Sequence, residues 1–297
     1  MTTFLALIQC LRPHQWVKNF FLFLPLFFGR QITNPESVIP VMLLFIGFSA
    51  ITGGVYIFND LCDTKSDVGH PEKKRRPIAA GIVSKKLAIF LLIFVMGGGW
   101  IWLICTIRNY QIFALVFAYL AMNVAYSLWL KQSSFAGIVI VALGFVVRIF
   151  LGGLAGHVAI SEWIVVMTFL LALFLAIAKR RDSIRMALNK KPVSTDSLLT
   201  KTLEFYNALL YICAAIVIIA YILYTLDPIT KQRFGDYVYL TGLFTILGIF
   251  RYLQLIFLED NAGCPTTAML KDRWLQGIIL CWLGAFWFFA YGGQLGL

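Results

Sequence analysis

The sequence predicts an all-α integral membrane protein with nine transmembrane helices. Three observations lead to this fold class: the composition, the number of long apolar runs and a one-sided distribution of charge. Hydrophobic residues make up 60% of the 297 residues, charged residues make up 13%, and the mean hydropathy is +0.83. A soluble chain of this length could not bury so much apolar surface.

Nine apolar runs reach the length of about 18 residues that a bilayer crossing requires. The first is the weakest, because Pro25 interrupts it and Lys18 and Asn19 stand at its start. The first dozen residues lack the basic region and small-residue cleavage site of a signal peptide. We therefore expect one transmembrane domain over residues 1–297, with no separate soluble domain. The nine runs lie near 17–33, 38–58, 87–105, 111–130, 135–157, 162–178, 207–226, 236–257 and 274–293.

The basic residues predict the orientation of these spans. With the N-terminus inside, 20 of the 25 Lys and Arg residues fall on one side, four fall on the other, and Arg148 lies within a span. The crowded side is expected in the cytoplasm, which predicts a multi-pass protein of the inner (plasma) membrane. The net charge of +11 then reflects topology and affinity for phosphate and anionic lipid. It does not indicate nucleic-acid binding, because no soluble module carries a basic stripe with interleaved aromatic residues.

Two charged cytoplasmic loops, about 59–86 and 179–202, follow the second and the sixth spans, and a third polar loop covers about 258–273. Three quieter spans separate the first two loops. This spacing suggests a duplicated architecture that closes around one central cavity, open to the cytoplasmic face.

A cluster of acidic residues begins the first loop. If the chain is helical from Asn59 onward, Asp60, Asp63 and Asp67 stand at i, i+3 and i+7 and face one way within about 60° of arc. Carboxylates gathered in this way repel one another unless a cation lies between them. Mg²⁺ that bridges to a phosphorylated substrate fits this pattern, since it takes one or two carboxylates and completes its shell with phosphate oxygens and water.

Basic residues follow the acidic cluster, and they are candidates for neutralising the remaining phosphate charge: Lys73, Lys74, Arg75 and Arg76. The alternative is a solvated loop whose basic residues do no more than fix the membrane orientation. Further polar residues near the predicted cytoplasmic face are candidate substrate ligands: Lys18 and Asn19 at the start of the first span, Tyr126 and Lys131 at the end of the fourth, and Lys179, Arg180 and Arg181 at the end of the sixth. Each basic group could equally be an interfacial anchor.

Two of these candidates carry a more specific expectation. The group 179–181 has Asp182 as its single nearby acid, so it suits anions better than a metal, and we expect it to form a second phosphate clamp that faces the first across the cavity. Arg148, midway through the fifth predicted span, must face a polar cavity or a partner. The glycines at 152, 153 and 156 allow close helix packing.

Segment 59–81, including Arg76-Pro-Ile-Ala-Ala-Gly81, resembles the first aspartate-rich motif of the UbiA-type intramembrane prenyltransferases. The resemblance is closest to the polyprenyl-phosphate phosphoribosyltransferase branch. It covers nearly the whole chain, and the segments that carry it are 11–19 (Leu-Arg-Pro-x-Gln-Trp-Val-Lys-Asn), 126–131 (Tyr-Ser-x-x-Leu-Lys), Arg148 with its glycines, 169–181 and 263–273.

The resemblance implies a Mg²⁺-dependent transferase that moves the 5-phosphoribosyl group from phosphoribosyl pyrophosphate to a polyprenyl phosphate, for lipid-linked pentose precursors of the cell envelope. It implies catalytic roles for Asn59, Asp60, Asp63 and Asp67, with the three aspartates as the metal ligands. Prenyltransferases with aromatic acceptors carry a second aspartate-rich motif after span six, where this chain has Lys179-Arg-Arg-Asp182. This departure favours the phosphoribosyl branch and a single acidic metal site.

Two other functions and the oligomeric state stay open. One is a prenyltransferase that moves an isoprenoid to an aromatic or glycerol-phosphate acceptor. The second, from another functional class, is a transporter or lipid-binding protein, although a transport path would place polar groups at several depths and here the charge lies mostly on one face. Thirdly, the chain could function alone or as a homo-oligomer.

Overall fold

A computed structural model describes residues 3–69, 73–130, 134–188, 197–258, 268 and 271–292, and all regular secondary structure in these ranges is helical. Eight helices are long and apolar enough to cross a membrane. The α-helices are α1 (Thr3–Leu11), α2 (Leu24–Phe28), α3 (Pro35–Val68), α4 (Lys85–Thr106), α5 (Tyr110–Leu128), α6 (Ser134–Ala155), α7 (Glu162–Leu188), α8 (Ser197–Leu226), α9 (Pro228–Phe234), α10 (Gly242–Phe257) and α11 (Arg273–Tyr291). Short 3₁₀ helices cover Pro13–Phe23, Lys73–Arg75 and Asp236–Thr241.

The chain divides into two compact units, Met1–Ser161 and Glu162–Leu297. The first contains the candidate spans α3, α4, α5 and α6, and the second contains α7, α8, α10 and α11. The eight candidate spans coincide with the second to ninth predicted apolar runs. The predicted first span, 17–33, is the one that does not form a long α-helix.

In the first unit, that segment consists of the 3₁₀ helix Pro13–Phe23 followed by the short helix α2. Pro25 lacks a backbone N–H, so it cannot continue an α-helix that began before it, but it is tolerated in the first turn of α2. The segment runs antiparallel to α3: Asn19 bonds to Ser49, and Phe23 packs on Phe45. An apolar stretch of 17 residues therefore takes the form of two short helices.

Helices α3, α4, α5 and α6 share an apolar core with this N-terminal segment. Phe48 and Leu103 are fully buried in it, and Leu22 lies beside them. Gly47 and Gly99 let α3 and α4 approach closely, because a Cβ on either glycine would meet side chains of the opposite helix within 3 Å.

The outer face of α4 is apolar and exposed, as a surface in contact with lipid must be. Phe90, Ile93, Phe94 and Ile101 are each about two-thirds exposed. On a soluble protein, so large an apolar face would require a covering partner. Within a bilayer the hydrocarbon chains cover it, which agrees with the membrane class predicted from the composition.

The second unit is held together by buried aromatic residues and a few hydrogen bonds. Phe174 of α7 packs edge-on against Tyr252 of α10 at a centroid distance of 5.5 Å. The Trp282 indole of α11 donates a 2.7 Å hydrogen bond to the Tyr221 hydroxyl of α8. These contacts tie α7 to α10 and α8 to α11.

Candidate active site at the end of helix α3

The acidic cluster lies on the last turns of α3, which continues as a helix through the apolar run and ends at Val68. The helical spacing predicted for Asp60, Asp63 and Asp67 is therefore confirmed. Asp60 and Asp67 are buried, with exposed fractions of 3% and 2%, and Asp63 is half-buried. Burying two carboxylates costs free energy unless cations or donors compensate them.

Arg76 reaches these carboxylates because the chain after α3 folds back on the helix end. The turn is closed by backbone hydrogen bonds from Ala80 to the Arg76 carbonyl and from Val83 to the Pro77 carbonyl. Gly81 adopts a left-handed backbone with φ of +74°, which glycine adopts without steric cost. Apolar packing anchors the turn, since Ile78 and Val83 are buried in a cluster with Ala6, Cys10, Ile57 and Ala88.

Two arginines and two aspartates form one connected ion-pair network. Arg12 Nη2 donates to Asp60 Oδ1 at 2.5 Å, and Arg76 Nη1 donates to the same oxygen at 3.0 Å. Arg76 Nη1 also donates to Asp67 Oδ2 at 2.6 Å. Two guanidinium charges thus face two carboxylates, and this pairing offsets part of the free-energy cost of burying them. The Arg12 guanidinium also lies over the Tyr56 ring, 5.1 Å from its centroid.

The oxygen atoms at this helix end are of the type that Mg²⁺ prefers. Asn59 Oδ1 is buried and has no hydrogen-bond partner in the described part of the chain, and an orphaned amide oxygen beside carboxylates is a suitable hard ligand. In the same described ranges, no three His, Cys, Asp or Glu side chains converge closely enough to hold a metal by themselves. The donor set therefore fits Mg²⁺ that completes its shell with substrate oxygens and water.

Lys73 and Lys74 belong to a single 3₁₀ turn ahead of Arg76, and both side chains are exposed. Desolvation and then the nearby charge of Arg76 lower the pKa of Lys73, while Asp67 acts in the opposite direction. The exposed position allows both ammonium groups to meet a phosphorylated molecule that approaches the network from outside.

Asn19 and Arg148 lie together in the buried interior of the first unit. Arg148 donates to the Asn19 side chain at 3.0 Å, to the Gly144 carbonyl at 2.7 Å and to the Tyr119 hydroxyl at 3.1 Å. Its guanidinium also contacts the faces of three aromatic rings: Phe48, Tyr119 and Phe145. Arg148 has the partners that its depth requires, and these contacts brace the helices. A substrate-binding role for the two residues stays a prediction.

The other predicted ligands in the first unit lie at varied positions. Lys18 is half-buried in the 3₁₀ segment, one residue before Asn19. Tyr126 is half-buried near the end of α5. Lys131 lies outside the described residues.

In the second unit, the predicted basic clamp divides into exposed and buried members. Lys179 is exposed and Arg180 is half-buried. Arg181 is 5% exposed; it donates to Asn207 Oδ1 at 2.6 Å and to the Ile256 carbonyl at 3.2 Å. Because it also stacks 4.2 Å over the Phe257 ring, Arg181 joins α7 to α8 and α10. Its role as an anion ligand, like those of its two neighbours, stays a prediction.

Arg12 is a site residue that sequence reasoning missed. It is one of the charges that set the topology and it belongs to the motif 11–19, but neither observation pairs it with Asp60. It precedes Asp60 by 48 positions, so no local spacing connects the two. The signal that could have found it is charge balance. A buried acidic cluster at a membrane surface requires cations, and Arg12 stands at the same predicted face just before Pro13.

Comparison with known proteins places this geometry in a family. The chain is 31% identical to the decaprenyl-phosphate phosphoribosyltransferase of Mycolicibacterium smegmatis, with 94% of this chain and 90% of the relative covered. The protein of that name from Mycobacterium tuberculosis is 28% identical, with 94% and 92% covered.

A structural neighbour has the same fold at much lower identity. A UbiA homolog from Archaeoglobus fulgidus, bound to DMAPP and Mg²⁺, superimposes with a TM-score of 0.67 at 17% identity, over 96% of this chain and 99% of that one. Residues 22–271 match the UbiA prenyltransferase family. The chain therefore belongs to the UbiA prenyltransferase family.

Proposed function

We propose that this protein transfers the 5-phosphoribosyl group of phosphoribosyl pyrophosphate to a polyprenyl phosphate and releases pyrophosphate. The observation that carries the proposal is the similarity to decaprenyl-phosphate phosphoribosyltransferases along nine-tenths or more of both chains. Such a product is a precursor for lipid-linked pentose donors of the cell envelope.

The proposed reaction needs three things from the protein. Pyrophosphate departs from a sugar carbon that bears positive charge in the transition state, stabilised by the ring oxygen. The protein must neutralise the leaving group, keep water away from the sugar and hold the nucleophile in line. A lipid phosphate is already an anion, so the reaction requires no dedicated general base.

The residues at the end of α3 suit the first of these tasks. We propose that Asn59, Asp60, Asp63 and Asp67 hold Mg²⁺, which when bound supplies positive charge to the leaving pyrophosphate. Support comes from the shared helix face, the orphaned oxygen of Asn59 and the metal-bound family neighbour. We propose that the exposed ammonium groups of Lys73 and Lys74, together with the guanidinium of Arg76, bind the outer phosphate oxygens.

The remaining basic residues are proposed to share the acceptor phosphate and the ribose 5-phosphate: Lys18, Lys179, Arg180 and Arg181. Among them, the exposed Lys179 is best suited to direct contact. The buried Arg181 is best suited to fix the end of α7 through Asn207. Asn19 and Arg148 support the site from within the first unit by holding the N-terminal segment against α3.

We further propose that segment 17–33 crosses the bilayer, which gives nine crossings. A 3₁₀ helix rises about 2.0 Å per residue and an α-helix about 1.5 Å. The 3₁₀ residues 17–23 and the five residues of α2 therefore extend about 21 Å of the roughly 30 Å hydrocarbon core, and residues 29–33 complete the crossing. With nine crossings, the positive-inside rule places the N-terminus and the acidic cluster in the cytoplasm, where soluble phosphoribosyl pyrophosphate is available.

A labelled-lipid assay tests the function. Purified protein receives phosphoribosyl pyrophosphate labelled in the ribose, Mg²⁺ and a polyprenyl phosphate, and label is measured in the organic phase. We expect label to become lipid-soluble in proportion to enzyme. The prenyltransferase alternative would be established by label that stays aqueous, together with consumption of a prenyl diphosphate in a parallel assay with an aromatic acceptor. The family neighbour bound to DMAPP is the reason for testing this alternative.

Variants of the acidic cluster provide the matched control for this assay. Asp60→Asn and Asp63→Asn keep the side-chain shape but remove the charge, and we expect each to lower turnover at least about a hundredfold. Gln111→Ala changes an exposed side chain at the start of α5 and should leave turnover unchanged. Near-normal activity of both aspartate variants would eliminate the proposed metal site.

A further inference from the structure

We infer that Arg12 competes with a divalent cation for Asp60 Oδ1 and, once displaced, becomes a ligand of the diphosphate. Metal and diphosphate would then bind with positive cooperativity, each making room for the other. This inference rests on the proposed metal-dependent use of a diphosphate donor, and it assigns to Arg12 a role that no spacing motif predicts.

One oxygen atom, Asp60 Oδ1, is crowded by hydrogen-bond donors. Asp60 Oδ1 accepts hydrogen bonds from both Arg12 at 2.5 Å and Arg76 at 3.0 Å. A carboxylate oxygen offers about two lone-pair sites, and these two donors use them. A cation bound at about 2.1 Å from this oxygen would take one of those sites and would repel both guanidinium groups. At least one arginine must therefore leave for this oxygen to bind metal.

Of the two arginines, Arg12 has fewer ion-pair partners and is the easier one to displace from Asp60. Arg76 bonds to Asp67 as well as to Asp60, so losing one partner leaves it the other. Across the described ranges, Arg12 has one ion-pair partner, Asp60. Its backbone adopts a left-handed conformation with φ of 51°, which is unfavourable for a residue with a Cβ. Arg12 also stands where α1 ends and the 3₁₀ helix begins, at a junction between elements.

Once displaced from Asp60, the Arg12 guanidinium can bind the diphosphate. The Arg12 side chain is 18% exposed, so part of it already faces outward from the buried carboxylate. A guanidinium matches two phosphate oxygens with parallel N–H donors, which suits a diphosphate carried by a metal at Asp60. The exchange keeps every charge paired. The Asp60 carboxylate exchanges Arg12 for the metal as its partner, and Arg12 exchanges the carboxylate for a phosphate.

Such an exchange predicts reciprocal coupling, because a ligand that removes Arg12 from Asp60 favours the second ligand by the same factor. The probes are Mn²⁺, followed by electron paramagnetic resonance, and inorganic pyrophosphate. In the wild-type protein, saturating pyrophosphate should tighten Mn²⁺ binding at least tenfold. In Arg12→Gln, Mn²⁺ alone should bind about tenfold more tightly than to wild type, and the coupling should be at least about threefold weaker than in wild type, because only the direct contact between metal and diphosphate remains.

The diagnostic result is tighter binding of Mn²⁺ alone together with weaker coupling to pyrophosphate, since removing a nearby positive charge raises metal affinity by itself but does not weaken the coupling. Arg108→Gln is the matched control, because it removes the same charge from an exposed loop residue beyond α4. Tyr56→Leu provides a second variant: it keeps Arg12 but removes the ring beneath its guanidinium, and it should shift both quantities in the same direction by a smaller factor. Should Arg12→Gln fail to fold, Tyr56→Leu still tests the inference.

The inference is overturned if Mn²⁺ binds to Arg12→Gln no more tightly than to wild type, or if the coupling to pyrophosphate is unchanged. Where Arg12→Gln does not fold, the same results with Tyr56→Leu overturn it. Failure of the proposed function gives a different pattern. In that case no label passes from phosphoribosyl pyrophosphate to lipid, while the coupling with inorganic pyrophosphate and its dependence on Arg12 persist. The inference then stands for a different diphosphate donor.

Discussion

Arg148 in α6 donates its Nε–H to Asn19 Oδ1 over 3.0 Å, and this bond joins residues that are 129 positions apart. Asn19 uses its other side-chain atom to donate to Ser49 and Thr52 in α3. One amide therefore connects the N-terminal 3₁₀ helix to two candidate spans. In a low-dielectric interior each of these polar groups depends on the others for a partner.

Replacing Asn19 by Ala should lower the free energy of unfolding by about 1–2 kcal/mol, because the Arg148 Nε–H loses its acceptor. Thermal or denaturant unfolding in detergent micelles measures this difference. Gln111→Ala removes an exposed amide and should stay within about 0.5 kcal/mol of wild type. If Asn19→Ala unfolds like wild type, the bond contributes no stability, and a ligand role for Asn19 becomes the better interpretation.

Arg76→Gln should lower stability by about 2–3 kcal/mol, because it leaves Asp60 and Asp67 buried without this shared cation. The loss should be smaller when Asp67 is already Asn, since Asp60 keeps its ion pair with Arg12 and the carboxylate that depends on Arg76 is then absent. A double-mutant cycle on unfolding free energies measures the coupling, which we expect to exceed about 1 kcal/mol. Additive effects would show that Arg76 and Asp67 do not interact in solution.

The parts of the fold and site that sequence reasoning predicted are those set by local periodicity. Eight of the nine apolar runs form long helices because about 20 apolar residues have few other stable states in a bilayer. The alignment of Asp60 with Asp67 followed from helical spacing, once the helix continued beyond its apolar part.

What sequence reasoning did not predict depends on contacts between distant segments. Segment 17–33 was counted as a span by length and hydropathy, neither of which distinguishes a 3₁₀ helix from an α-helix. The pairing of Arg12 with Asp60 depends on that segment packing antiparallel to α3. Likewise, Arg148 was expected to have a polar partner, but its partner Asn19 could not be named from the sequence.

Mutations of Lys179 and Arg181 should have different effects, on substrate binding and on stability respectively, although both residues belong to the predicted basic clamp. Lys179→Gln should raise KM for an anionic substrate several-fold and leave the melting temperature unchanged, because Lys179 is exposed. Arg181→Gln should lower stability by about 1–3 kcal/mol, since the Asn207 side chain and the Ile256 carbonyl lose their donor. Steady-state kinetics and unfolding on the same preparations measure both. Equal melting temperatures for the two variants would contradict the bracing role of Arg181.

The ion pair between Arg251 and Asp272 should make stability depend on pH in the acidic range. The hydrogen bonds from Arg251, at 2.6 and 3.2 Å, lower the pKa of Asp272, and the backbone N–H of Leu275 adds to the effect. A pKa lower in the folded than in the unfolded state stabilises the fold above the unfolded value of about 3.9, and this contribution disappears as pH falls through the folded pKa.

Asp272→Asn should therefore be less stable than wild type by no more than about 1 kcal/mol above pH 5, because the pair lies near the surface. The difference should shrink as pH falls below about 3.9, the pKa of an unfolded aspartate, and disappear as pH passes through the lower pKa of the folded protein. Asn can still cap the start of α11, so the comparison isolates the charge. Unfolding midpoints at several pH values test this, and a difference that grows on acidification would contradict the sign.

Gly81 provides a test of how the turn after α3 holds Arg76 in place. Its φ of +74° disfavours any residue with a Cβ, although an added Cβ would meet nothing within 4 Å. Gly81→Ala should therefore destabilise the protein by about 1 kcal/mol through backbone strain alone. Gly98, in the middle of α4, has equally open surroundings but lies in a regular helix, so Gly98→Ala should be neutral or stabilising by up to about 1 kcal/mol. If the two changes in unfolding free energy have opposite signs, the effect at Gly81 comes from its backbone conformation.

If Arg76 binds phosphate as proposed, Gly81→Ala should also raise KM for the diphosphate substrate, because the strained turn shifts the arginine from Asp60 and Asp67.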